Sequence, residues 1–239
     1  MLCFKVKRCK GLTLYMAVPT MLVNLSARPM VPQHPEGAHA LPQLLERVAR
    51  PDAAAAHVEA ARRSVALLVG CRPAEIVFTS GGAESSNAAI KGLALGRRDG
   101  ASRRIVYGAA EQPWVAHPIR GLQRLGFEPV VVAVDRYGKV DADGFRRELD
   151  RGAALAALQW ANDELGSLQP VEPVARHAAE QGIPLHVDAA AAAGWVPLDW
   201  QSIPIATMGL SADRLGGPAG VGALVLREGQ RWLPLIEGG

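Results

Sequence analysis

Aromatic residues make up only 5% of the 239 residues, and cysteines number three. So few aromatics, with no basic stripe running between them, argue against the stacking surface of a nucleic-acid binder. Cys3, Cys9 and Cys71 have neither metal-ligand spacing nor the density of a disulfide scaffold, so a reducing, cytoplasmic setting is the expectation. Cys71 follows Gly70 at a helix end. With nothing nearby to depress its pKa, it is expected to be a small apolar filler. Long apolar runs are also missing, so no bilayer-spanning segment is expected. The net charge of +3 is small and comes partly from Lys5, Lys7, Arg8 and Lys10. Without an internal repeat or linker, a chain of this length is expected to fold as one domain.

Residues 1–20 mix basic and apolar residues without periodicity, and Gly11, Thr13 and Tyr15 interrupt what would be the apolar core of a secretory signal. They are expected to be a disordered or mis-assigned extension, with Met1, Met16 or Met21 as the start and residues 21–239 as the folded unit. Three prolines from Val31 to Pro42 predict an irregular segment. Helical spacing begins near Leu41 and strengthens over Ala53 to Val69, ended by Gly70. From there strands and helices alternate. Strands are expected at Glu75 to Thr79, Arg104 to Tyr107, Pro129 to Val134 and Ala154 to Trp160, and in the runs ending at Asp188, Leu210 and Leu226. Helices are expected from the turn after Gly82 to Leu95, over Trp114 to Leu125, over Asp141 to Leu149 with Asp141 as cap, and over Val171 to Gln181. Such alternation predicts a three-layer α/β/α fold around a mainly parallel sheet of about seven strands.

Two places carry chemistry. The turn Ser80-Gly81-Gly82-Ala83-Glu84, between a strand and a helix, can aim helix-start amides at a phosphate. In the stretch from Pro184 to Gly220, apolar runs end in Asp188 and Ser211, delivering polar residues to one crevice at strand C-terminal ends. His34, His39, His57, His117 and His177 lack metal spacing and are read as surface or turn residues. His186 is read as a packing residue, and the five tryptophans as core or interface filling.

Four ordered blocks, IVFTSGGAESSNAAIKG, AAEQPWV, LQWANDELGSLQPVEPVARHAAEQGIPLHVDAA and LSADRLGGPAGVGALVLREG, resemble the cysteine desulfurases of the class V aminotransferase family. The resemblance implies the large domain of a fold type I enzyme that uses pyridoxal phosphate. It assigns Asp188 to the cofactor's pyridinium nitrogen, and Ser211 with the Gly81-Gly82 turn to its phosphate. At other positions this sequence departs from the family. A threonine of the turn is Ala83, the ring-stacking histidine is Gln112, the second of two asparagines is Asp163, a glutamine is Ala191 and a histidine near the phosphate is Asp213. The lysine that forms the imine is Arg214, and a guanidinium is not a usable amine. Lys91 and Lys139 are placed after a helix and in a turn, away from the crevice. The family's active cysteine and substrate-binding arginine lie in a C-terminal part, with the small domain, that is expected to be absent because the sequence stops at Gly238-Gly239.

The resemblance therefore implies a pseudoenzyme: no covalent cofactor, a binding or scaffolding role, and a homodimer or a heterodimer with a desulfurase-like subunit. In that reading Asp188 and Arg214 are expected in direct contact. The alternative is an enzyme that holds pyridoxal phosphate or another phosphate ligand non-covalently, completed by another chain.

Overall fold

The computed structural model describes residues 51–97 and 100–237. The expected extension over residues 1–20, the proline-rich segment, His34 and His39 lie outside them.

Helix α1 (Pro51–Val69) leads through a single 3-10 turn into β1 (Ile76–Thr79), and α2 (Gly82–Leu95) follows directly. Next come β2 (Arg104–Gly108), α3 (Pro113–Gly121), β3 (Glu128–Val132), α4 (Ala142–Asp150) and β4 (Leu155–Gln159). A short hairpin, β5 (Ala161–Asn162) and β6 (Ser167–Leu168), precedes α5 (Val171–Glu180) and β7 (Leu185–Asp188). The last strands are β8 (Thr207–Ser211) and β9 (Gly222–Leu226). The main sheet has seven strands in the order β1-β9-β8-β7-β4-β2-β3, and only β9 runs against the others. The expected mainly parallel α/β architecture is therefore present.

Alternation along the strands sorts side chains into two cores. Val106, Ala156 and Leu158 point to one face, where Val65 and Val69 of α1, Phe145 of α4 and Val174 of α5 cover them. Ile105, Tyr107, Leu155 and Ala157 point to the other, under Ile90 and Leu93 of α2 and Val115 and Ile119 of α3. Asp141 caps α4 by accepting from the amide of Asp143. Burial, helped by the Glu75 carboxylate and opposed by Arg72, keeps Cys71 a thiol and pushes its pKa up to about 12.

Two boundaries and one hairpin differ from expectation. Strand β3 stops at Val132, because Val134 bridges to Val140 across a turn instead of extending the ladder. Helix α3 ends at Gly121 and tightens into a 3-10 turn over Leu122–Leu125, closed by Gly126 at φ 80°. The hairpin β5–β6 has two residues per strand, too few to leave a periodic signal.

One glycine ties the phosphate-type turn to the sheet edge. A Cβ on Gly222 would lie 2.6 Å from Gly81 Cα and 2.7 Å from the Leu210 carbonyl oxygen, and both are backbone atoms that cannot rotate away. Gly222→Ala is expected to lower stability by roughly 1–3 kcal/mol, as overpacking does. Gly121→Ala, where nothing stands within 4 Å, is the control and should be neutral. Urea denaturation of both compares them; equal midpoints would contradict the close packing of this turn.

Candidate functional site

The parallel strands β2, β4, β7 and β8 all end on the same side of the sheet, so the residues after them converge. Gln159 at the end of β4 is paired in register with Asp188 at the end of β7. Asp188 sits beside Gly209 of β8, two residues before Ser211. The segment after β2 crosses above β4. There the Ala110 carbonyl accepts from the amides of Gln159 (2.6 Å) and Asn162 (3.2 Å), and Glu111 Oε1 accepts from the Gln159 backbone N–H at 2.7 Å. Glu111 is buried, and its other oxygen has no hydrogen-bond partner among the described residues. Desolvation holds its carboxyl proton on, raising the pKa to about 8.

Asp188 is 4% exposed. Its Oδ2 accepts from the Trp114 indole Nε1–H at 2.7 Å, and its Oδ1 from the Ala190 amide at 3.0 Å. Burial pushes its carboxyl above the usual carboxylate range, against the pull of those two donors. Trp114 reaches it because Pro113 starts α3 immediately after the crossing segment, which turns the second helical side chain towards the sheet.

Arg214 does not touch Asp188, and the expected contact is corrected here. Its guanidinium pairs with the Asp163 carboxylate, in the turn of the β5–β6 hairpin, and the Gln112 side-chain amide donates to the same carboxylate at 3.3 Å. The physical reason is hydration. Arg214 and Asp163 are 44% and 30% exposed, so their pairing leaves both charges partly in water, whereas joining the buried Asp188 would strip the guanidinium of it. Asp188 is satisfied instead by neutral donors.

At the turn after β1, Gly81 holds φ 150°, a conformation that favours glycine, and the Gly82 amide donates to Ser211 Oγ at 3.3 Å. Ser211 Oγ in turn donates to Asp213 Oδ1 at 2.6 Å. Ala83 follows within the first turn of α2, and Glu84 reaches back to accept from the Ser80 amide. Lys91 lies within α2 rather than after a helix, and it lines an open groove of about 690 Å³ beside Trp114, His117 and Arg124. Lys139 is in the turn before the Val140 bridge. His186 is fully buried between Thr207 Oγ1 (3.0 Å) and Ser86 Oγ (3.3 Å), a packing residue as read, and desolvation lowers its pKa to about 3. His117 and His177 lie on α3 and α5, with His117 exposed as the surface reading expects and His177 half-buried. Among the described residues no group of three or more His, Cys, Asp and Glu side chains could hold a metal ion.

The structure thus brings Asp188, Ser211, Gly81 and Gly82 to one edge of the sheet, and joins Gln112, Asp163 and Arg214 in a chain of polar contacts. Trp114, Glu111 and Gln159 are parts of this site that sequence reasoning passed over. The signal available was position: all three follow or end neighbouring parallel strands, within the quoted AAEQPWV and LQWAN segments.

A mostly parallel sheet with polar groups gathered at its strand ends defines an α/β protein with a ligand-type crevice. Residues 46–239 match the family model Aminotransferase class-V. The chain belongs to that family, as a cysteine desulfurase-like member. It is 37% identical to cysteine desulfurase IscS of Dictyoglomus turgidum over 182 residues, 76% of this chain and 46% of the relative. It is also 37% identical to the IscS-like cysteine desulfurase of Mycobacterium tuberculosis over 187 residues, 76% of this chain and 48% of the relative. Among solved structures, a NifS-like protein superposes with a TM-score of 0.73 at 29% identity, covering 92% of this chain and 58% of that one. DndA from Streptomyces lividans gives 0.71 at 32% identity, covering 92% and 60%. The chain therefore spans about half the length of the curated relatives it matches.

The residues present do not fit pyridoxal phosphate as they are arranged. Both oxygens of Asp188 have donors already, one of them an indole. The Ser211 hydroxyl is turned to Asp213, so a phosphate would meet a carboxylate instead of a free donor. The cation closest in sequence to Ser211 is a guanidinium bound to Asp163, not an amine.

Proposed function

We propose that this chain is a catalytically silent cysteine desulfurase-like protein that acts as a binding or scaffolding subunit. The observation that carries this reading is Arg214. It occupies the position that the resemblance gives to the imine-forming lysine, and it is committed to an ion pair with Asp163. An arginine can neither lose its proton at working pH nor form the imine, so the reaction of the relatives has no starting group here. Ala83, Gln112, Asp163 and Asp213 each remove a contact or add a negative charge where an anionic cofactor would lie, which supports the same reading. The partner in this reading is a second copy or an intact desulfurase, in the cytoplasm. Among the described residues no helix is long and apolar enough to cross a membrane.

The test is purification with added pyridoxal phosphate, followed by a visible spectrum and an assay of sulfide release from cysteine. A colourless protein with no sulfide above the buffer control is expected, for the wild type and for Arg214→Lys alike, because the lysine would still face Asp163 and Asp213. A yellow wild-type protein that releases sulfide would overturn the reading.

A further inference from the structure

Residues 109–113 form a surface segment with one side chain turned inwards. Ala109 and Pro113 are exposed, whereas Glu111 is 9% exposed and lies over Gly108, where a Cβ would stand 3.3 Å from its Oε1. The segment leaves the sheet where the Ala109 amide donates to the Val132 carbonyl at 2.8 Å, and it enters α3 at Pro113, which has no N–H to tie it down. Between those points side chains fasten it. Glu111 Oε1 accepts from the Gln159 backbone N–H, the Ala110 carbonyl accepts from the Gln159 and Asn162 amides, and Gln112 donates to Asp163. Glu111 is the titratable member of this set that belongs to the segment itself, and its Oε2 has no hydrogen-bond partner among the described residues.

The charges around Glu111 all favour its neutral form. Asp188, at the end of β7, acts on it directly and repels an ionised carboxylate. From β4 and the hairpin it faces the uncharged Gln159 and Asn162. Asp163 acts on Asp188 and is paired with Arg214, so that guanidinium is already engaged. Among the described residues no cation holds Glu111 ionised. Asp188 has two donors and Glu111 one, so Glu111 is the buried carboxyl whose charge is less provided for.

We propose that Glu111 is a proton-operated latch: neutral, it pins residues 109–113 to β4, and on ionising it swings out to water and carries the start of α3, with Trp114, away from Asp188. This goes beyond the reading of the chain as catalytically silent and does not depend on it. An ionised Glu111 left inside would keep one bare oxygen beside a second carboxylate, whereas outside it is hydrated. The residues on either side are at the surface already, so the swing gives up few contacts. Its pH dependence follows from the two states. Glu111 releases its proton at about 8 when closed and at its ordinary 4.5 when open, so opening gains about tenfold per pH unit between those values and levels off above 8.

The test is indole hydrogen exchange in the full chain with 15N-labelled tryptophan, the Trp114 signal being the one that disappears in Trp114→Phe. Comparing the wild type with Glu111→Gln at each pH cancels the effect of pH on exchange itself. The ratio of wild-type to variant rates should rise at least tenfold between about pH 6 and 8 and stay level above that. A ratio that does not change with pH would overturn the proposal. So would urea that speeds Trp114 exchange as steeply as that of the fully buried Trp200, because exchange would then follow unfolding of the whole chain and not release of one segment. If Glu111→Gln does not fold, the wild type decides alone. The Gln159 backbone amide, which donates to Glu111, should shift with a midpoint at or below about pH 8, and a signal that stays in place from about pH 6 to 9 would remove the latch.

Discussion

The stability of this chain against denaturant is expected to peak between about pH 4.5 and 6.5 and to fall on both sides. Those bounds are the ordinary pKa values of glutamate and histidine, and the folded protein moves each group away from its own. Glu111 keeps its proton up to about pH 8 in the folded state but only to 4.5 when unfolded. Between those values the folded state binds more protons, so stability is full below 4.5 and is lost as pH rises through 8. His186 works in the opposite direction. Its folded pKa is about 3 against 6.5 unfolded, so the unfolded state binds more protons below 6.5, and stability is lost as pH falls towards 3. Each displacement corresponds to on the order of 5 kcal/mol at full extent, a large share of a domain's stability. Glu111→Gln keeps the acceptor for the Gln159 amide and removes the ionisation, so its stability should fall less between pH 6 and 9. The raised pKa of Asp188 acts in the same direction, so the alkaline fall should shrink rather than vanish. Urea titrations at five or six pH values would show this. An alkaline fall equal in wild type and Glu111→Gln would remove Glu111 from the account.

Trp200→Ala should be as damaging as any single truncation in this fold. Trp200 is the largest of the fully buried side chains, 1% exposed, in the connection between β7 and β8. Its ring lies 4.3 Å from the Arg227 guanidinium carbon. Arg227 in turn donates to the carbonyls of Trp200 (2.6 Å), Ile203 (2.9 Å) and Ile205 (2.6 Å), so the ring covers the charge that fastens this connection to the end of β9. Truncation removes the apolar contacts, leaves a cavity and exposes the guanidinium at once. A loss of roughly 3–5 kcal/mol is expected, against about 1–2 kcal/mol for Trp200→Phe, which keeps a ring over the cation. Together with Arg227→Met, a double-mutant cycle should show coupling of about 1 kcal/mol. Losing less than about 1 kcal/mol in Trp200→Ala would mean that the connection is held by something other than this ring.

The sheet was legible because its strands are short, mostly apolar runs between strong turn signals, and β4, buried on both faces, reads as a nearly continuous hydrophobic segment closed by Gln159. The site was legible only in part. Asp188 and Ser211 announce themselves as polar residues closing apolar runs, and the glycines of the turn by their type. Which carboxylate Arg214 would choose could not be read from charge alone, because Asp163, Asp188 and Asp213 are equal in sequence and unequal only in hydration. Trp114 was read as filler because an indole's one N–H matters only when a carboxylate lies under it. The register that puts it there depends on Pro113, on the crossing of the Glu111 segment over β4 and on the depth of β7.

The antiparallel strand β9 has a consequence for how the chain reaches this structure. Among the described residues, strand β1 joins the main sheet only through β9, with Ile76 opposite Val225, so its partner is made long after it leaves the ribosome. The turn at Gly81 also depends on Gly222 for its close neighbour. Residues 76–82 must therefore wait, unpaired, while the central parallel strands assemble, and the edge is zipped up late. Such long-range closure is slow by its topology and leaves an open strand exposed to other chains in the meantime.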